Sequence, residues 1–383
     1  MAANAPPRRA RVSVTAVFFV NGAVFSSLFA RLPAVKADLG LSDGELGLAL
    51  LFATVGLLVS QLIAGALAVR WGSGAVVRVA APLYCAVAAL PALAPSGAMF
   101  ALALFALGAA NGALDVAMNV QGAAVEQRYG RSLMSAFHAA FSFGALAGAG
   151  SGALVAAADV APERHLAVVA VIALLAALAA TRGLLPSEQP AEQGTPRLAR
   201  PSKPLAVLGA LAFCVLLAEG SVADWSAVYL RESVGASQAV AAVGLAAFSL
   251  TMGIGRLFGD RLAALLGAVV LARAGALLAA LGLGSAIAVH QPAGAIAGFA
   301  AMGAGLAAAF PLVVSAAANR PDVPPGAAIA AVSTAGYAGF MAGPPLIGFL
   351  AEAGSLRTAL LLPAALSLLA AVLATALSRS DRR

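Results

Sequence analysis

Residues 97–126 read GAMFALALFALGAANGALDVAMNVQGAAVE, an apolar run with Asn111, Asp115 and Asn119 in its middle. The run is long enough to cross a bilayer, which takes about 20 mostly apolar residues in a helix. Recurring every fourth residue, the three polar side chains fall on one helical stripe, with Met118 and Gly122 beside it. An Asp near the bilayer centre costs about 2.5 to 3.5 kcal/mol on insertion scales, so the stripe is expected to face a wet cavity or another helix rather than lipid. The plainer alternative is that Asp115 only ties helices together. Ionisable groups inside membranes mark solute and ion paths by default, and the stretch is therefore read as the wall of such a path.

Working outward, the rest of the chain has the same character. Of its 383 residues, 62% are hydrophobic and 10% charged, against about 25% charge in a soluble domain. Twelve apolar stretches are predicted to span: 12–34, 44–69, 75–93, 97–126, 132–157, 165–185, 205–230, 237–262, 266–289, 293–315, 326–351 and 356–377. Between the sixth and seventh lies PSEQPAEQGTPRLARPSKP, residues 186–204, too polar for lipid and too poor in apolar residues to fold alone. The expected organisation is an all-α membrane protein: a six-helix bundle over residues 1–185, a cytoplasmic linker over 186–204 and a second six-helix bundle over 205–383.

That leaves no room for a soluble catalytic domain. There is no phosphate-binding loop, HExxH or nucleophile-elbow pattern, so neither an enzyme nor an ATP-driven pump is indicated, and no cofactor is expected. The net charge of +7 sits in short loops rather than on a folded basic face, which argues against nucleic acid. Cys85 and Cys214 both fall inside spans, without metal-ligand spacing, and are expected to pack. The opening MAANAPPRRAR resembles a signal peptide, but the apolar run continues from Val12 through Leu32, too long for a cleaved core, and reads as a retained first span.

Loop charge sets the expected orientation. With the N-terminus cytoplasmic, eighteen of the 23 Lys and Arg residues fall on that side and five, Arg31, Lys36, Arg164, Arg231 and Arg357, on the other. Both termini are thus expected in the cytoplasm of a bacterial cell, with the chain in the inner membrane and the protein a monomer. Gly144, Gly148 and Gly152 in the fifth span, and Gly339, Gly343 and Gly348 around Pro344–Pro345 in the eleventh, are placed for close helix approach and bending.

Two six-span halves joined by a cytoplasmic linker resemble the major facilitator superfamily over nearly the whole chain. The turn Gly65-Ala-Leu-Ala-Val-Arg70-Trp-Gly72 is similar to its G-x-x-x-D-R-x-G signature, with Val69 in place of the acid, and Gly255-Arg256-Leu-Phe-Gly259-Asp260-Arg261 is similar to the matching turn in the second half. By that resemblance Arg70, Gly72, Arg256, Asp260 and Arg261 form a cytoplasmic gate, with Arg256 and Asp260 as its pair. Asp115-Val-Ala-Met-Asn119, Met134-Ser-Ala-Phe-His138, Glu219-Gly-Ser-Val-Ala-Asp224-Trp225 and Arg31-Leu-Pro33 resemble the branch containing MosC and YbjJ, distantly similar to fucose permeases. The resemblance implies a secondary transporter moving a small polyhydroxylated solute, a sugar or cyclitol, with protons. Proton-driven efflux of drugs or metabolites, or a receptor that kept the fold and lost transport, are the alternatives.

Within that frame, Asp115, Glu219 and His138 are the candidate proton-coupling residues. His138 is expected at the depth of Asn119, within reach of it or of Asp115, because the two lie at similar distances from the same end of successive spans. Asn21, Asn111, Asn119, Asp224, Trp225 and Tyr337 are candidate solute contacts, Trp225 alternatively being an interfacial anchor. Five residues apart, Glu219 and Asp224 point about 140° apart on one helix and do not share a cavity squarely. Arg31 is expected to snorkel to the outer surface, or to pair with Asp38 or an acidic solute. The tenth span carries Phe310 and Pro311 where the fourth carries Asp115, so the halves are expected to be functionally unequal.

Overall fold

In a computed structural model, residues 7–130, 133–186, 203–320, 323 and 325–379 are described. Most of the linker expected at 186–204, together with Arg131, Arg382 and Arg383, lies outside these residues. Among the described residues every regular element is helical. The first half contains α1 (Arg8–Leu39), α2 (Asp43–Trp71), α3 (Ser73–Val87), α4 (Gly97–Tyr129), α5 (Met134–Ala157) and α6 (Pro162–Ala180). The second contains α7 (Lys203–Val228), α8 (Gln238–Leu266), α9 (Ala268–Val289), α10 (Pro292–Leu306), α11 (Ala309–Ala318), α12 (Pro325–Ala353), α13 (Leu356–Ala359) and α14 (Leu361–Leu373). Since α10 with α11 and α13 with α14 each make one broken span, the twelve expected crossings are all present as helix.

The helices end where backbone chemistry ends them. Gly40 and Gly130 close α1 and α4 in the left-handed conformation, at φ 64° and 65°, and their N–H groups take up the orphan carbonyls of the last turn. Ser96 and Ser237 accept from the backbone N–H of Met99 and Val240 at the starts of α4 and α8. The break between α10 and α11, at Ala307–Ala308, precedes Pro311, which supplies no N–H and crowds the carbonyl four residues back.

Two compact units form, residues 1–40 with 52–191, and residues 41–51 with 192–383. In the first, α1 is the central post. Its Phe19 and Ala23 carbonyls lie against Gly144 and Gly148 of α5, where a Cβ would collide with them. The ring of Phe18 stacks on Phe137 of α5 at 5.7 Å. In the second, α7 holds the matching place. Gly339 of α12 sits over the Phe213 carbonyl, and Gly348 of α12 meets the backbone of Asp43 and Gly47, so the first turns of α2 belong to this unit. There the Gly44 N–H also donates to Glu352 Oε2 at 3.0 Å.

An internal repeat connects the halves. Gly72 and Gly267, 195 residues apart (267 − 72), start α3 and α9 with nearly the same backbone, φ 83° ψ 144° and φ 79° ψ 150°. At the same separation, Gly108 of α4 lies on the Ala53 carbonyl of α2 and Gly303 of α10 lies on the Phe248 carbonyl of α8. The offset pairs Asp115 with Phe310, as the sequence pattern suggests, and Gln61 with Arg256.

Candidate solute and proton site

Glycine packing builds the first-half site. Gly56 of α2 lies against the Phe105 carbonyl, while Gly108 and Gly112 of α4 lie against the carbonyls of Ala53 and Leu57. With no side chains between them, α2 and α4 run at backbone contact, and one turn further on Gln61 comes opposite Asp115. Gln61 Nε2 donates to Asp115 Oδ2 at 3.2 Å. From the next turn of α4, Asn119 Nδ2 donates to Asp115 Oδ1 at 3.1 Å and to the Asp115 carbonyl at 2.9 Å.

Asp115, Gln61, Asn111 and Asn119 are all half-buried. Asp115 has no cation among its partners in the described residues. This matters chemically, because amide donors serve a carboxylate while an amide oxygen also accepts from a carboxylic acid, and no fixed positive charge pins the group in one state. Nearby on the same stripe, the Asn111 Oδ1 is enclosed without a partner. Asn21 of α1, 2% exposed, reaches α4 by donating Nδ2 to Met118 Sδ at 3.6 Å and leaves its Oδ1 unpaired.

His138 takes another course from the one its depth suggests. Its ring stands edge-on to Phe18, 5.3 Å between centroids, and neither Asp115 nor Asn119 bonds to it. Depth along a helix is readable from residue counts; the direction of the side chain is set by packing, here by the Phe18–Phe137 stack. Arg31 is a second correction. It is 4% exposed and does not snorkel: its guanidinium donates to the Val160 carbonyl at 2.6 Å and the Gly152 carbonyl at 3.4 Å, stapling α1 to the end of α5 and the turn after it. The Gly152 carbonyl within α5 and the Val160 carbonyl in the turn beyond it hold it there. His165 of α6, 4% exposed, bonds through Nε2 to Ser151 Oγ at 3.1 Å beside it.

The second half is built differently. Arg256, the counterpart of Gln61, finds Phe310 where the first half has its Asp, and its Nη2 turns to Glu219 Oε1 of α7 at 3.0 Å, the two side chains 15% and 16% exposed. Arg256 lies within α8, ten residues before its end (266 − 256), and one of its partners is Glu219 of α7. Asp260 and Arg261, further along α8, are exposed, as is Arg70, whose guanidinium lies over the Trp71 ring at 5.9 Å, while Gly72 supplies the positive φ that starts α3.

Asp224, on the opposite side of α7 from Glu219, is 8% exposed with no hydrogen bond or ion pair among the described residues. Its neighbours Trp225 and Ser226 are 0% and 1% exposed with Nε1 and Oγ unpaired. Trp225 is therefore a packed side chain of the bundle, not an interfacial anchor. Tyr337 of α12 is half-buried. Cys85 and Cys214 are buried free thiols, as expected of packing residues.

Sequence reading passed over Gln61, although it is the one amide in the second apolar stretch, and it passed over Gln121. The latter, 1% exposed, donates to Ser73 Oγ at 2.9 Å and accepts from the Leu185 N–H at 3.1 Å, fixing the start of α3 to the end of the first unit.

Two repeated six-span halves, each with polar groups at the middle of its spans, define a polytopic membrane carrier. The Major Facilitator Superfamily model matches residues 14–222 and 208–383, and the chain belongs to that family. It is 37% identical over 369 residues to an uncharacterized MFS-type transporter of Yersinia pestis, covering 96% of each chain. It is 34% identical to membrane protein MosC of Rhizobium meliloti, covering 92% of this chain and 86% of the relative. Among solved structures, the nucleoside transporter NupG superposes with a TM-score of 0.74 at 13% identity, covering 97% and 100% of the two chains. The Escherichia coli fucose:proton symporter FucP does so at 0.66 and 20%, covering 97% and 99%. At these identities the solved structures speak for the fold alone.

Proposed function

We propose that the protein is a proton-coupled secondary transporter that carries a small polar solute of the sugar or cyclitol kind by alternating access. The observation that carries this is the arrangement of Asp115, an acid at mid-span, half-buried, bonded to Gln61 and Asn119 and with no cation among its partners in the described residues. Such a group takes up and releases a proton as access changes, whereas Glu219 is paired with Arg256 and serves to order α7 against α8. Asn21, Asn111, Asn119, Asp224 and Tyr337 are assigned to the solute, since the unpaired oxygens of Asn21, Asn111 and Asp224 suit the hydroxyl and ammonium donors of a polyol or an amino-sugar. The fold shared with a fucose:proton symporter supports the assignment. Placement in a bacterial inner membrane, both termini cytoplasmic, follows the loop charge, and the two halves are the domains of residues 1–185 and 205–383.

The test is proton flux into proteoliposomes during uptake of a panel of sugars, inositols and amino-sugars. Alkalinisation outside that follows addition of one solute class is the expected result. Flux in the opposite sense, coupled to an expelled solute, selects antiport, and no flux with any solute against either gradient overturns the reading.

A further inference from the structure

The first unit carries a groove of ≈ 930 Å³ lined by none of the residues assigned above to solute or proton. Its floor is one stripe of α1, formed by Arg8, Arg11, Thr15, Ala16 and Phe19, and its walls include Tyr129 at the end of α4 and Ala176 of α6. The spacing of three and four residues puts these α1 side chains on one face. Val12 and Phe19 within it are 68% and 40% exposed, and Ile172 and Leu175, next to Ala176, are 63% exposed. In a membrane protein such exposed apolar surface is turned to acyl chains.

Charge gathers at one end only. Arg11 lies over the Tyr129 ring at 5.7 Å, and neither Arg8 nor Arg11 has an acidic partner among the described residues. Arg182, in the turn after α6, is exposed beside them, because Gly183 sits directly on Ser13 and the Arg9 carbonyl. The acid near this end of α4, Glu126, is committed to the N–H groups of Leu133 and Met134 at 2.6 and 2.9 Å. From Arg8 to Phe19 the stripe runs about 16 Å at 1.5 Å per residue, close to one leaflet of a hydrocarbon core about 30 Å thick.

We propose that this groove is a binding site for an anionic phospholipid of the leaflet that meets the N-terminal end of α1, the phosphate held by Arg8 and Arg11 and one acyl chain lying on Ala16, Phe19 and Ala176. Neither part of the groove suits a water-soluble ligand: the arginines have no acidic partner among the described residues, and the depth lacks polar groups below Thr15. Basic pockets between spans recognise acidic headgroups in this way.

Native mass spectrometry of the full chain, exchanged from detergent against phosphatidylglycerol or phosphatidylcholine with the same acyl chains, is the experiment. The expected result is retention of phosphatidylglycerol in preference, weakened about fivefold for each arginine lost, so roughly 25-fold in R8Q/R11Q. R357Q, at an exposed arginine in the other half, should match the wild type. A176F, which fills the groove and keeps the charges, should also lose the lipid. R8K/R11K, less disruptive to the fold, should retain part of it. Wild-type retention in R8Q/R11Q or in A176F overturns the proposal, as does displacement of the lipid by glycerol phosphate, which would make the site one for a free phosphate.

Discussion

Cutting the Glu219–Arg256 pair is the perturbation whose size follows most directly from the structure. At 3.0 Å, and with an effective dielectric constant of about 20, the Coulomb attraction is about 5.5 kcal/mol. Desolvation takes back a large part of it, and the side chains keep 15% and 16% exposure, so screening takes more. The coupling energy expected from a double-mutant cycle is about 2 kcal/mol, roughly 30-fold in an equilibrium constant, above the range of surface pairs and toward the lower end of buried ones. The assay is reversible unfolding in mixed micelles of E219Q, R256Q and E219Q/R256Q beside the wild type. Each single variant leaves a charge or an amide in a span without its partner, so each is expected to be less stable than the double variant predicts by simple addition. If the two single losses add within about 0.3 kcal/mol, the pair is decorative and the division of labour drawn between Glu219 and Asp115 fails.

Other outcomes follow from particular contacts. G112L, which drives a side chain into the Leu57 carbonyl and Ser60, should part α2 from α4 and lower the yield of folded protein, with a stability loss of about 3 kcal/mol or more. R31M should lose about 2 kcal/mol of stability by freeing the Gly152 and Val160 carbonyls, read by thermal unfolding, while the KM for solute stays unchanged; a raised KM at wild-type stability would make Arg31 a solute contact. D224N should weaken solute binding several-fold without altering the pH dependence of uptake, and equal titration curves at unchanged affinity would remove Asp224 from the site.

Much of the fold is legible in the sequence because lipid leaves the chain few choices. Apolar length fixes the number of spans, and the broken tenth span could be anticipated from Pro311. Asp115 with Asn119 was equally visible, since a four-residue spacing on a helix states which groups share a face. Direction across helices was not. Gln61 carries no charge to draw notice, and its meeting with Asp115 depends on Gly56, Gly108 and Gly112 bringing two backbones together. His138 was placed by depth alone, which cannot see Phe18 turning the ring aside. Arg31 looked free to reach water, and it stays inside because the Gly152 and Val160 carbonyls of another part of the chain accept from its guanidinium. The pairing of Arg256 with Glu219 was likewise invisible, because it joins residues 37 apart in the chain on two different helices.

The central claim concerns one exchangeable proton at Asp115, and the measurement is D115N in proteoliposomes assayed two ways. Exchange of labelled solute across a membrane without a gradient needs no net proton movement and should persist, while accumulation driven by an imposed pH gradient, and its dependence on pH, should vanish. Accumulation by D115N that tracks the pH gradient as in the wild type would contradict the account.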